Sequence, residues 1–239
     1  MTAHVPARPG LLASVATLDE MRTALAVGVD ILDLKNPSEG ALGAWAPQAL
    51  LEAVALWRAA GAPGSLSATV GDHPLDPDAL RAAAERTSAT GVPLVKIGFA
   101  RGDGAALPPV LEALRPLARE TRLIAVLFAD QAPDLAAVPL FAAAGFHGVM
   151  LDTADKAAGG LLAHLPVETL ARFVAAARAE GLLTGLAGSL KIADIAPLAA
   201  LRPHYLGFRG ALCAEGRTSA LDPARLSAVR DTLAGRILA

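Results

Sequence analysis

Short apolar runs along the chain alternate with longer stretches in which apolar residues return every three to four positions. The runs at residues 11–16, 30–35, 65–70, 94–99, 122–128, 148–152, 183–189 and 205–209 read as strands. Several are almost unbroken apolar runs, as expected of parallel strands covered on both faces. The stretches between them read as helices, so the chain repeats a βα unit. Boundary residues agree with that reading. Thr17 and Glu20 have capping-box spacing ahead of a helix over 21–27, and Gly28 stops it. Pro47 takes a first-turn position ahead of a helix over 50–60 that Gly61 ends, and Gly91, Gly145 and Gly181 end three more. The pattern predicts eight strands and eight helices in a single (β/α)8 barrel over residues 1–239. An open doubly wound sheet uses the same alternation, because closure of the first strand on the last is not a local property.

The 239 residues suit a barrel, which takes about 250. Two smaller domains would fit the length, but the even spacing of the units leaves no segment for a second one. Mean hydropathy is +0.46, raised by alanine and leucine spread through the chain rather than by one block. No run approaches the ~20 apolar residues that span a bilayer. Residues 1–10 lack the basic start and apolar run of a signal peptide. A soluble, cytoplasmic enzyme without a membrane partner is therefore expected. A net charge of −2 offers no footprint for nucleic acid. Cys213 is the single cysteine, so neither an intrachain disulfide nor a cysteine metal cluster is expected. The chain has no P-loop, no usable dinucleotide fingerprint and no histidine pair at metal-ligand spacing, so no metal and no cofactor are expected. Association into a homo-oligomer is compatible with a barrel of this size.

Lysine usage narrows the chemistry. Of 21 basic residues only Lys35, Lys96, Lys156 and Lys191 are lysine. All four fall at or just beyond the C-terminal end of an expected strand, the face where barrels carry their chemistry. One such lysine is as readily a solvated surface group; four together are not. Ammonium groups brought to one mouth repel each other and lose water, which lowers their pKa and frees an amine to attack a carbonyl. Such a set also binds phosphate.

Carboxylates accompany these lysines. Asp33 precedes Lys35 by two residues and so shares its side of the strand. Asp152 ends the sixth strand four residues before Lys156, although it would also serve as an N-cap for the next helix. Asp72 lies in a turn-like segment, where a structural role is as plausible as a chemical one. His73 beside it is a possible acid–base group, although a lone loop histidine is more often incidental. Glycine-bearing segments close the last two strands: Ala187-Gly188-Ser189-Leu190-Lys191 and Gly207-Phe208-Arg209-Gly210-Ala211. They occupy the usual phosphate position of a barrel. Gly188, Ser189, Gly210 and Ala211 are the expected backbone donors, with Lys191 and Arg209 as phosphate-binding side chains. Residue chemistry alone does not choose between Lys35 and Lys156 as nucleophile.

Along nearly its whole length the chain resembles the (5-formylfuran-3-yl)methyl phosphate synthase family of methanofuran-type cofactor biosynthesis. The resemblance rests on Asp33-Leu34-Lys35-Asn36-Pro37-Ser38-Glu39-Gly40-Ala41-Leu42-Gly43-Ala44, on Ser67-Ala68-Thr69-Val70-Gly71-Asp72 and on Val95-Lys96-Ile97-Gly98. It continues through Asp152-Thr153-Ala154-Asp155-Lys156, Leu186-Ala187-Gly188-Ser189-Leu190-Lys191 and Arg209-Gly210-Ala211. The resemblance implies a TIM barrel that condenses two molecules of glyceraldehyde 3-phosphate into a furan aldehyde phosphate without a cofactor. It implies that Lys35 forms the Schiff base, that Lys96 accepts a proton, and that Asp33, Asp152 and Lys156 complete the catalytic set. His73 has no fixed counterpart in the family and stays outside the site.

Three other readings share the same residues. One is a different Schiff-base aldolase of this fold. Another is a phosphosugar isomerase or decarboxylase working through an Asp–Lys pair without a covalent intermediate. The last is a non-catalytic barrel that binds a phosphorylated metabolite, which would have no need of carboxylates beside its cations.

Overall fold

The computed structural model describes residues 8–100 and 105–236. Most of the N-terminal segment read above for a signal peptide lies outside them. Eight parallel strands are present: β1 (Gly10–Val15), β2 (Ile31–Leu34), β3 (Ser65–Thr69), β4 (Leu94–Phe99), β5 (Arg122–Phe128), β6 (Gly148–Asp152), β7 (Leu183–Leu186) and β8 (Tyr205–Phe208). They follow one another in chain order around a closed barrel. Gly10 pairs with Tyr205 and Ala13 with Phe208, which decides against the open sheet.

Strand parity builds two cores. Leu11, Ala13 and Val15 of β1, Leu32 and Leu34 of β2, Leu66 and Ala68 of β3, and Val95 and Ile97 of β4 face outward under the helices. Leu12, Ile31, Leu94, Ile124, Val126, Met150 and Tyr205 have the opposite parity and fill the barrel interior. A residue buried on either face must be apolar, which is why these strands read as continuous apolar runs. Following the inward parity toward the strand ends leads from Leu12 to Ser14, from Ile31 to Asp33, from Leu94 to Lys96 and from Met150 to Asp152. The interior is thus oily at the bottom and ionic at the top.

Nine α-helices surround the barrel among the described residues: α1 (Leu18–Val27), α2 (Pro47–Ala59), α3 (Pro77–Ser88), α4 (Leu107–Ala118), α5 (Val138–Ala143), α6 (Leu161–His164), α7 (Val167–Ala179), α8 (Ile195–Ala199) and α9 (Pro223–Leu233). The one beyond the expected eight is α6, a single turn after β6. Leu161 N seats it by donating to Gly188 O at 2.9 Å. The expected capping box is half formed. Glu20 N donates to Thr17 Oγ1 at 3.1 Å, but Glu20 Oε2 accepts from Ala16 N at 2.6 Å.

Strand β7 ends at Leu186, three residues before the expected boundary. Gly188 (φ 109°) and Ser189 (φ 48°) turn the backbone left-handed, which no strand tolerates. Gly188 also packs closely on Thr153, whose Cγ2 would lie 3.0 Å from an added Cβ. The loop between β2 and α2 folds inward over the top of β4. Leu42 there is fully buried, and any side chain at Gly98 would meet its Cδ1 at 2.5 Å.

Candidate active site

The polar level at the top of the barrel is set by strand register. Ser14 lies opposite Asp33, and Asp33 opposite Ser67. Asp33 Oδ2 accepts from Ser14 Oγ at 2.9 Å, and its Oδ1 accepts from Ser67 Oγ at 2.7 Å and Lys96 Nζ at 3.0 Å. Lys35, one residue past β2, reaches Asp152 Oδ2 at 3.5 Å. Asp152 Oδ1 accepts from Lys156 Nζ at 2.5 Å and from Thr153 N at 2.8 Å. Lys156 Nζ also donates to Thr153 O and, at 3.3 Å, to Thr153 Oγ1. Helix α6 begins only at Leu161, so Asp152 is not its N-cap. Lys35, Lys96, Asp33 and Asp152 are all buried.

Three ammonium groups therefore share two carboxylates in a space with little water. Burial alone would raise the Asp33 carboxyl, but Lys96, Lys35 and the Ser67 hydroxyl outweigh it and hold Asp33 below the usual carboxylate range. Asp152 is likewise driven down: burial opposes, while Lys35 and Lys156 prevail. Burial pushes the Lys96 ammonium below its ordinary value, against the pull of Asp33. Lys156 moves the same way through burial and the nearby charge of Lys35, with Asp152 opposing. Below them, burial and the two carboxylates raise the Tyr205 phenol, so it stays neutral. With one positive charge in surplus, loss of a lysine proton is the least costly relief. Lys35 makes the longest of the three lysine–carboxylate contacts, to Asp152 Oδ2 at 3.5 Å.

A cavity of about 400 Å³ opens directly above this cluster. Its walls include Asp33, Lys35, Lys96, Asp152 and Lys156, and the two glycine segments with Gly188, Ser189, Lys191, Gly210 and Ala211. The amide N–H groups of Gly188, Ser189, Gly210 and Ala211 find no backbone acceptor among the described residues. Lys191 stands exposed at the rim.

Arg209 lines the cavity but does not fit its expected phosphate role. Its guanidinium donates to Arg217 O, Ser14 O, Ser219 O and both oxygens of Glu20, the shortest being Nη1 to Glu20 Oε2 at 2.5 Å. All five N–H donors are committed to the protein. Arg209 is a brace, and its buried partner Glu20 was read from the sequence only as a helix cap. Arg217, which no strand pattern singled out, lines the cavity as well. Ser14 and Ser67 were also missed. Their signal was present as polar residues of inward parity in otherwise apolar strands, but the register that aligns them with Asp33 was not.

Asp72 and His73 stay apart from the lysine cluster, beside a separate hollow of about 330 Å³ lined also by Gly98 and Phe128. Asp72 accepts from Leu42 N at 3.2 Å, and His73 Nε2 lies 3.1 Å from Val70 O, so both hold loops in place.

Comparison with known proteins adds to this geometry. The sequence profile of the family described as 4-HFC-P synthase matches residues 11–230. The chain is 35% identical over 222 residues to the (5-formylfuran-3-yl)methyl phosphate synthase of Methanopyrus kandleri, covering 87% of this chain and 91% of that protein. A Methylorubrum extorquens protein named provisionally for the same activity is 43% identical over 222 residues, covering 92% of this chain and 90% of the relative. Among solved structures, phosphoribosyl anthranilate isomerase from Thermus thermophilus superposes with a TM-score of 0.64 at 18% identity, covering 95% of this chain and 98% of that one. At that identity the likeness speaks for the fold alone.

Proposed function

Since the chain belongs to the 4-HFC-P synthase family, we propose that it condenses two molecules of glyceraldehyde 3-phosphate into (5-formylfuran-3-yl)methyl phosphate, an early step toward a methanofuran-type cofactor. Two triose phosphates supply six carbons and two phosphates. Loss of one phosphoric acid and two waters yields the product with no net oxidation, so the reaction needs no redox partner. The observation that carries this reading is the cluster of three lysines around two buried aspartates, with Lys35 making the longest contact.

Lys35 Nζ adds to the carbonyl of one triose phosphate and expels water as the imine forms. Loss of a proton from the adjacent carbon gives an enamine, which attacks the aldehyde of the second triose. Lys96, whose pKa burial lowers from the ordinary lysine value, moves the proton during enolisation and the later eliminations. Asp33 stays ionised and orients Lys96, while Asp152 does the same for Lys35 and Lys156. Gly188, Ser189, Gly210, Ala211 and Lys191 bind substrate phosphate. With its donors committed, Arg209 supports that pocket rather than touching the anion.

The test is incubation with glyceraldehyde 3-phosphate and borohydride, followed by intact mass and peptide mapping, with near-ultraviolet absorbance reporting the furan aldehyde. A triose-phosphate adduct on Lys35 and a furan chromophore are expected, and Lys35→Ala should lose both while keeping its circular dichroism. An adduct on Lys156 would overturn the assignment of the nucleophile. Substrate consumption without any adduct would favour a non-covalent Asp–Lys isomerase, and an adduct without furan another Schiff-base aldolase.

A further inference from the structure

The segment after β8 forms a compact hairpin over the cavity. Cys213 and Leu221 pair as an antiparallel bridge, and Ala214 N donates to Ala220 O at 3.2 Å. Ser219 closes the tip: its N donates to Gly216 O at 3.1 Å, and its Oγ accepts from Glu215 N at 2.9 Å. Arg217 sits on that tip and reaches into the cavity wall. The hairpin is held from beneath, since Arg209 Nε donates to Arg217 O at 2.7 Å and Arg209 Nη2 to Ser219 O at 2.9 Å. Arg209 is itself locked by buried Glu20, which also accepts from Leu221 N at 3.2 Å. Five guanidinium donors, one buried carboxylate and a hairpin are thus arranged to hold one residue in place.

The guanidinium of Arg217 is only partly used. Its Nη2 donates to Gly40 O at 3.0 Å, on the loop that folds over the opposite side of the barrel. Among the described residues its Nε and Nη1 have no protein acceptor. Lys96 and Lys156 are by contrast each ion-paired to a carboxylate. The Arg217 side chain starts beside the glycine segment, because a Cβ at Gly210 would lie 3.9 Å from Arg217 Cβ. From there the side chain reaches Gly40 O along the same cavity wall and lies within the field of Asp152.

We propose that Arg217 binds the phosphate of the second triose, the one that arrives as aldehyde acceptor, through its guanidinium rather than through the backbone amides of the glycine segments. This rests on the condensation proposed above. That reaction brings two phosphate dianions into one mouth, and a single backbone cradle serves one of them. A planar guanidinium with free donors and a rigid mount suits the other, because it grips phosphate through two parallel hydrogen bonds. Its bond to Gly40 O joins the two loops across the entrance while the subsite is empty. A phosphate dianion is the stronger acceptor and displaces the carbonyl, so binding of the second substrate opens that clasp.

The test compares wild type, Arg217→Ala and Arg217→Lys in two assays. The first is borohydride trapping of a single triose phosphate, dihydroxyacetone phosphate, on Lys35. The second is furan formation from trapped-ready enzyme with either glyceraldehyde 3-phosphate or unphosphorylated glyceraldehyde as acceptor. Trapping should persist in all three proteins. In Arg217→Ala the KM for glyceraldehyde 3-phosphate as acceptor should rise about tenfold to a hundredfold, the worth of a charged hydrogen-bonded contact. The preference for the phosphorylated acceptor should fall by the same factor, with Arg217→Lys recovering part of it. A purely structural hairpin residue would weaken both acceptors alike and leave their ratio unchanged, which would overturn the proposal. Loss of trapping together with condensation would place Arg217 at the first subsite and overturn it too. If wild type neither traps a triose nor forms furan, the condensation itself fails, and this outcome is distinct from the other two.

Discussion

Asp33→Asn removes one charge from the centre of the site with almost no change of shape. Asparagine can still accept from Ser67 and Lys96 through its oxygen, and the Ser14 hydroxyl can turn to accept from its amide. What disappears is the counter-charge of a buried ammonium. Lys96 is 2% exposed and lies 3.0 Å from Asp33. At an effective dielectric of about 20, that separation corresponds to roughly 5 kcal/mol of attraction. Measured costs of breaking one side of a buried pair run at about 3–5 kcal/mol. Lys96 has one escape, which is to lose its proton. At pH 7 this costs about 1.4 kcal/mol for each unit below the ordinary lysine value near 10.4, a ceiling of roughly 4.6 kcal/mol. Both routes give a similar loss, and Tm should fall by about 6–20 °C for a chain of this length.

The two routes respond differently to pH. A neutral Lys96 in the folded variant binds fewer protons than in the unfolded chain, so stability rises with pH until the unfolded lysine also titrates. At about pH 9.5 the ceiling shrinks to roughly 1 kcal/mol, and most of the deficit should be recovered. Adding Lys96→Met removes the stranded charge altogether, and the double variant should be more stable at pH 7 than Asp33→Asn alone. Urea unfolding of the four proteins at both pH values completes the cycle. Additive losses at pH 7, together with a deficit unchanged at high pH, would refute the ion pair at the barrel centre.

Two further outcomes follow from the same geometry. Arg209→Met should cost about 3–5 kcal/mol by urea unfolding, because it strands the buried Glu20 carboxylate, and it should loosen the hairpin that carries Arg217; a loss under 1 kcal/mol would show that Arg209 braces nothing. Acidification should unfold the wild type in the window below the ordinary Asp value near 3.9. Asp33 and Asp152 both have folded pKa values held down by lysines, so their contribution is present above the unfolded value and lost as pH falls through the folded ones. Thermal melts between about pH 6 and pH 2 read this directly, and an acid limb centred above pH 5 would point to other groups.

How much of the molecule was legible in advance depended on the range of the forces involved. Strand and helix identity came through because burial on two faces requires continuous apolar runs and because caps are local chemistry. Lys35, Lys96, Asp33, Asp152 and Lys156 were legible as candidates because scarce lysines and nearby aspartates at strand ends have few structural reasons to be there. Which of them touch was not legible. Asp152 pairs with Lys35 across 117 positions of sequence, and Lys96 with Asp33 across 63. Those distances are bridged only once the barrel closes and the register of β1, β2 and β3 puts Ser14, Asp33 and Ser67 on one level. Arg209 and Arg217 show the limit most clearly. Both are arginines near the end of β8, and local pattern favoured Arg209 as the anion ligand. Only the folded chain, by placing buried Glu20 and three carbonyls around Arg209 and leaving Arg217 on a hairpin tip, assigned one to bracing and set the other beside the cavity. Residue type and periodicity were determined by the sequence itself. The choice among equivalent side chains was made by desolvation and hydrogen-bond geometry, which exist only in the tertiary structure.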